Sequence, residues 1–266
     1  MLKTRIVTAA ILASLLLMVV LWLPRGATVA ALSVAVLAGA WEWSAFLRAS
    51  HVWARVAYVV FVAALLPLAW NLSATRQGLD AILIAALIWW TLALVWIAFA
   101  PRRVTPIAAA LAGVLALVPA WVALVRILYL DLGTQWLLFA LVLVWTADIG
   151  AFFFGRRYGR VQLAPAVSPG KTWEGAIGGI AASALVAIVG SHWFGVPVAK
   201  FLPLCLAAVA FSIVGDLTES LLKRYAGVKD SGSVFPGHGG VMDRIDSVTG
   251  AAPVLLLGLT ALGVSP

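Results

Sequence analysis

The feature that most constrains this chain is a succession of apolar runs, each about 20 residues long. A run of that length crosses the roughly 30 Å hydrocarbon core of a bilayer as a helix. In lipid the backbone must satisfy its own hydrogen bonds, so helices are the expected element. Nine such runs are read at about 6–23, 27–47, 52–72, 80–100, 105–127, 134–155, 173–194, 199–222 and 247–264. Pro, Gly or charge separates them, as in Pro24-Arg25-Gly26, Ser73 to Gly78, Pro101-Arg102-Arg103 and Asp131-Leu132-Gly133. The chain is 64% hydrophobic and only 11% charged, whereas a soluble domain is about half apolar and about a quarter charged. The reading is an all-α polytopic integral membrane protein with about nine transmembrane helices. It forms a single membrane domain over residues 1–266, with 1–133 mainly scaffold helices and 134–266 the catalytic helices and loops.

Several smaller signals follow. Lys3 and Arg5 precede an apolar run that ends at Leu23. It is longer than a signal-peptide core and has no small-residue cleavage site, so a retained first span is expected. Cys205, the single cysteine, lies within an apolar run and excludes an internal disulfide framework or a Cys-rich zinc site. Trp41, Trp43, Trp53 and Trp70 fall near span ends, as interfacial belts require. His51 and His192 also fall at span ends and read as interfacial.

The net charge of +8 would suggest nucleic acid in a soluble protein. Here the cations lie between apolar runs, so topology and anionic headgroups explain them better, and no nucleic-acid partner is expected. Nine alternating spans put fourteen of the 18 Lys and Arg residues on the side of the N-terminus. The other side holds Arg25, Arg76, Arg126 and Lys200. By the positive-inside rule the N-terminus and the loops after spans 2, 4, 6 and 8 are cytoplasmic, and the C-terminus is external. The short chain, without a long polar extension, points to a bacterial inner membrane.

The carboxylates locate the chemistry. Only Glu42, Asp80 and Asp131 precede residue 148, followed by Asp148, Glu174, Asp216, Glu219, Asp230, Asp243 and Asp246. Carboxylates in or near spans are costly and tend to mark function. Asp216, Glu219, Ser220 and Lys223 are spaced i, i+3, i+4, i+7, which places them on one helical face. A structural ion pair of Glu219 with Lys223 is the plainer alternative for that face. Lys223 to Asp246 is dense in glycine, base and acid. Glycines let backbone amides approach phosphate, cations neutralise its oxygens, and carboxylates are the hard ligands that Mg²⁺ prefers. The combination describes a polyphosphate–metal site. The preceding loop adds Arg156, Arg157, Arg160 and Lys171, with Ser168 to Gly175 leading into span 7. Gly170-Lys171-Thr172 ends like a Walker A loop, but Pro165 stands where its first glycine is needed. A helix N-terminus beside Ser168 and Thr172 can still hold an anion.

Ser220-Leu221-Leu222-Lys223-Arg224, then Lys229-Asp230, then Pro236-Gly237-His238-Gly239-Gly240-Val241-Met242-Asp243-Arg244-Ile245-Asp246 resembles the full signature of the phosphatidate cytidylyltransferase (CDP-diacylglycerol synthase) family. Asp148 to Gly155 and Ser168 to Gly175 resemble the family too, although Gly170 stands where the family often has Lys. The resemblance covers about the last 120 residues. It implies condensation of CTP with phosphatidic acid to CDP-diacylglycerol and pyrophosphate, a Mg²⁺ requirement with one or two ions, and a homodimer. On this reading Asp216 and Asp243 hold the metal, with Asp246 and Asp148 in support. Lys223, Arg244 and His238 complete the catalytic set, His238 donating to phosphate or else serving as a structural turn residue. Ser168, Lys171, Thr172, Ser220, Arg224, Lys229, Asp230, Gly239 and Gly240 bind the phosphates of the two substrates.

Rival readings are a cytidylyltransferase or kinase acting on another lipid phosphate or lipid alcohol, and a transporter. The charges cluster at one face and no internal repeat is visible, which disfavours a transporter. The D-G-x-x-A-R pattern of CDP-alcohol phosphotransferases is absent, as are the P-S-G-H and S-R motifs of membrane phosphatases.

Overall fold

The computed structural model describes residues 2–48, 51–235 and 239–264. Among them the chain forms nine α-helices and one hairpin. The helices of the first half are α1 (Leu2–Trp22), α2 (Arg25–Trp43, continued by a 3-10 turn, Ser44–Leu47), α3 (Val52–Leu72), α4 (Arg76–Phe99) and α5 (Pro106–Leu128). α6 (Gly133–Tyr158) leads to strands β1 (Gln162–Ala164) and β2 (Ser168–Thr172), then α7 (Trp173–Phe194), α8 (Val198–Ala226) and α9 (Met242–Ala261). Seven helices, α2 to α8, are long and apolar enough to cross a membrane. This is a multi-pass membrane protein. α9 carries Asp243, Arg244 and Asp246 in its first turns, and the apolar part of α1, Ala13–Trp22, is shorter.

The bundle is built as lipid demands. Large apolar side chains such as Phe61, Leu92, Leu185 and Val189 face outward, where hydrocarbon solvates them. The helices therefore associate through close packing rather than through hydrophobic burial. Small residues supply it. A Cβ at Gly179 of α7 would lie 2.5 Å from the Ala147 carbonyl of α6, and one at Gly178 would collide with Phe154. α8 and α9 meet the same way: a Cβ at Gly215 would lie 2.5 Å from the Asp246 carbonyl, and one at Gly250 would strike the Phe211 carbonyl. These two seams align α6, α7, α8 and α9 side by side.

Three features depart from the sequence reading. α9 begins at Met242, five residues before the apolar run, because its charged first turn is paired rather than solvated. α8 runs 29 residues, about 44 Å at 1.5 Å per residue, so its last turns project past the hydrocarbon core. It stops where Gly227 takes a left-handed conformation (φ +75°), with Val228 N–H on the Lys223 carbonyl at 2.9 Å and Gly227 N–H on that of Arg224 at 3.1 Å. This is a Schellman stop. The third feature is Trp43, expected at the interface. It is buried, with Nε1 donating to the Ala109 carbonyl at 2.8 Å, and Gly113 leaves room for its ring. Trp41 and Trp53 are exposed. Cys205 is free and buried.

Candidate active site

The C-terminal ends of α2, α6 and α8 and the N-terminal ends of α7 and α9 meet at one end of the bundle. A cavity of about 620 Å³ opens there. Its acidic wall comes from three helices: Asp148 of α6, Asp216 of α8 and Asp246 of α9. The glycine seams account for that convergence, since Gly215 lies next to Asp216 and packs on the backbone of Asp246. Arg156, Lys171, Lys223 and Arg244 supply cationic surface, and Asp230 also lines the cavity.

Lys171 arrives on the hairpin. β1 and β2 pair Gln162 with Thr172 and Ala164 with Ser168. Glu174, in the first turn of α7, accepts from the amides of Arg160 (3.1 Å) and Val161 (3.2 Å) and fixes the hairpin's start. Thr172 caps α7, its hydroxyl accepting from Gly175 N–H at 3.2 Å. Lys171 is thereby delivered across the cavity into an ion pair with Asp216. The segment expected to be a loop into span 7 is thus a strand. Its sequence lacks the alternation that marks one, and the pairing is imposed by the capped helix at its end.

Lys223 lies between two carboxylates, 2.6 Å from Glu219 Oε2 and 2.6 Å from Asp243 Oδ1. The Glu219–Lys223 pair is therefore present, and Asp243 extends it across to α9. The other Asp243 oxygen, Oδ2, accepts from Ser231 N–H (2.9 Å), Ser231 Oγ (2.8 Å) and Gly240 N–H (2.8 Å). A Cβ at Gly239, whose φ is +76°, would collide with that carboxylate.

The remaining expected site residues are placed as follows. Ser220 Oγ reaches Asp216 Oδ1 only at 3.5 Å. Arg224 Nε donates to the Val167 carbonyl at 3.3 Å and ties α8 to the hairpin. Lys229 is exposed, and Ser168 begins β2. His238 lies outside the described residues. Ser247, which the sequence reading passed over, donates to Asp148 Oδ1 at 3.4 Å. Its amide donates to Asp246 Oδ1 at 2.7 Å. Glu42, from the half read as scaffold, accepts from Val241 N–H (3.0 Å), Met242 N–H (2.7 Å) and Ser231 Oγ (2.9 Å). A lone carboxylate in an apolar span was the signal that could have flagged it.

The donor set suits a hard divalent cation: of the five aspartates lining the cavity, Asp148, Asp216 and Asp246 form the wall, and of those three only Asp216 has an ion-pair partner among the described residues. No three metal-binding side chains among those residues are already gathered into a cage. Asp243 has both oxygens filled, so it joins a metal only by exchanging one of its donors.

An acidic wall facing phosphate-sized cationic surface, at one end of a helical membrane bundle, is the architecture of an enzyme acting on phosphates at a bilayer. The chain matches the cytidylyltransferase family over residues 3–262 and belongs to it, which makes it a nucleotidyltransferase using CTP and a lipid phosphate. Among individual proteins it is similar to the phosphatidate cytidylyltransferase of Pseudomonas aeruginosa, 42% identical over 271 residues, covering 99% of this chain and 98% of that one. The phosphatidate cytidylyltransferase of Haemophilus influenzae is 39% identical over 281 residues, covering 95% and 96%. That of Brucella suis is 48% identical over 133 residues, covering 47% of each.

The α8–α9 seam can be tested directly. Gly215→Val places two methyl groups against the Asp246 backbone and forces the helices apart. Overpacking of this kind costs about 1–3 kcal/mol. A lowered melting temperature in detergent, followed by tryptophan fluorescence, is expected together with at least about tenfold slower turnover, because Asp216 and Asp246 separate.

Proposed function

We propose that this protein transfers CMP from CTP to phosphatidic acid, giving CDP-diacylglycerol and pyrophosphate. The observation that carries the reading is the cavity itself, with carboxylates from α6, α8 and α9 on one wall and Lys171, Lys223, Arg156 and Arg244 around it. A phosphate oxygen of phosphatidate attacks the α-phosphorus of CTP. The new P–O bond forms as the bond to the β-phosphate bridging oxygen breaks, and pyrophosphate leaves with that electron pair. A phosphate monoester has a second pKa of about 6, so the nucleophile is already dianionic and needs no protein base. The barrier is chiefly repulsion between anions, which fixed cations in a site of low dielectric relieve.

Asp148, Asp216 and Asp246 would hold Mg²⁺. When bound, it would neutralise phosphate charge and polarise the α-phosphoryl group. Lys171 and Lys223 are held at the cavity by carboxylates, so they are pre-aimed for phosphate oxygens without side-chain ordering at the moment of binding. Arg244 and Arg156 extend the cationic surface, and Lys229, exposed on the segment after α8, would meet the outer phosphates. Thr172 serves as the cap of α7 at the cavity, its hydroxyl taking the Gly175 N–H while the Val161 carbonyl takes that of Trp173.

The face bearing the cavity would be cytoplasmic, where CTP is made. The cation distribution supports this, with the C-terminus external, and the bacterial relatives support a bacterial inner membrane. Phe152, exposed beside Phe153 on α6, lines the cavity edge and offers an apolar approach for acyl chains arriving from the bilayer. A homodimer is proposed from the family resemblance. Incubating purified protein in mixed micelles with labelled CTP, phosphatidic acid and Mg²⁺ should give a labelled liponucleotide and pyrophosphate, and EDTA should abolish both. Absence of product with diacyl phosphatidate, but formation with another lipid phosphate, would reassign the acceptor.

A further inference from the structure

Glu42 is a buried carboxylate that the reaction as described leaves unused. It is 4% exposed and comes from the last turn of α2, nearly two hundred residues before the groups it meets. A carboxylate buried in a membrane bundle is expensive unless donors satisfy it. Here Oε1 accepts from Val241 N–H, and Oε2 accepts from Met242 N–H and Ser231 Oγ. Val241 and Met242 open α9, where amides have no partner within the helix and the dipole favours an anion. Ser231 belongs to the other end of the glycine-rich segment. One side chain therefore joins Ser231, the neighbour of Asp230, to the start of α9, which carries Arg244.

The glycines repeat the point. A Cβ at Gly232 or at Gly240 would land on the Glu42 carboxyl group. Two glycines that read in the sequence as openings for phosphate are needed, in the structure, so that the backbone can close around Glu42. Ser231 Oγ lies 2.8 Å from Asp243 Oδ2 as well, so its one hydroxyl hydrogen is shared between the two carboxylates, and Asp243 holds Lys223. Glu42 is thus joined through Ser231 and Asp243 to a lysine at the cavity.

We propose that Glu42 is a positioning residue for the transfer reaction, clamping Ser231 to the first turn of α9 so that Asp230, Arg244 and Lys223 keep their spacing around the nucleotide phosphates. This rests on the reading of that segment as part of the CTP site. A clamp of this kind acts on the binding of CTP more than on the chemical step, because Asp148, Asp216 and Asp246 are held independently by the glycine seams of α6 with α7 and of α8 with α9.

The test uses the full-length protein in mixed micelles. Glu42→Gln keeps the shape of the side chain but places the amide NH₂ against at least one donor. The expected result is a KM for CTP raised about tenfold with kcat changed less than about threefold, together with faster amide hydrogen exchange in residues 228–235 and 239–246. Ser231→Ala, which removes the contact from the segment's side, should raise KM in the same direction. Unchanged KM and exchange in Glu42→Gln would overturn the proposal. So would faster exchange with unchanged KM, since the clamp would then be architectural alone, and so would a kcat loss at constant KM. Asp216→Asn measured in parallel separates the two readings. If it retains turnover, the assignment of the site is at fault, and the exchange data still decide whether Glu42 holds the segment.

Discussion

Asp216→Asn is expected to lower turnover by about 10²–10³-fold or more while leaving the protein folded in detergent. The carboxylate lines the cavity together with Asp148 and Asp246, and removing one preorganised charge aimed at a transferring phosphoryl group costs about that much. Its ion pair with Lys171 is a quarter exposed on each side, so its loss changes stability by no more than about 1 kcal/mol. Liponucleotide formation from labelled CTP reads the first effect, and thermal unfolding reads the second. Near-normal turnover in this variant would remove Asp216 from the metal set and shift the chemistry towards Asp148 and Asp246.

Lys223→Met should fail differently, in stability as well as in activity. Lys223 neutralises Glu219, which is fully buried, and Asp243, which is nearly so. Removing the cation between two buried carboxylates is a case in which breaking a pair costs about 3–5 kcal/mol, because the remaining charges are left uncompensated. The melting temperature should fall sharply, and activity should be lost even at temperatures where the protein is folded. Pairing Lys223→Met with Glu219→Gln removes one orphaned charge and should restore much of the stability without restoring turnover. Recovery of turnover in the double variant would show that Lys223 acts only as a counter-ion and contributes nothing to phosphate binding.

The contrast between these two lysine–carboxylate pairs explains what a linear reading can and cannot reach. Glu219 and Lys223 are four residues apart on one helix, so their pairing follows from helical spacing. The link from Lys223 to Asp243 crosses between helices, and that from Lys171 to Asp216 depends on a hairpin with no sequence period of its own. Neither was legible before the chain was folded. The start of α9 was misplaced for a related reason. A hydropathy reading ends a span at the first charge, whereas the structure continues the helix through Asp243, Arg244 and Asp246 because partners from α2 and α8 satisfy its first turns.

What could be read from the residues in order was the helical membrane bundle and the family. Apolar runs of about 20 residues leave the backbone no other way to bond in lipid, and carboxylates are tolerated in such runs only where they are used. Tertiary structure alone decided which carboxylates face one cavity and which are consumed in holding it together. It placed Asp148, Asp216 and Asp246 on one wall through the close approach of glycine-bearing helices. It also brought Glu42 from the scaffold half to the start of α9, a contact between residues 200 positions apart. Local spacing carries no information about such a contact, because only the packing of α2 against α9 brings its two ends within hydrogen-bonding distance.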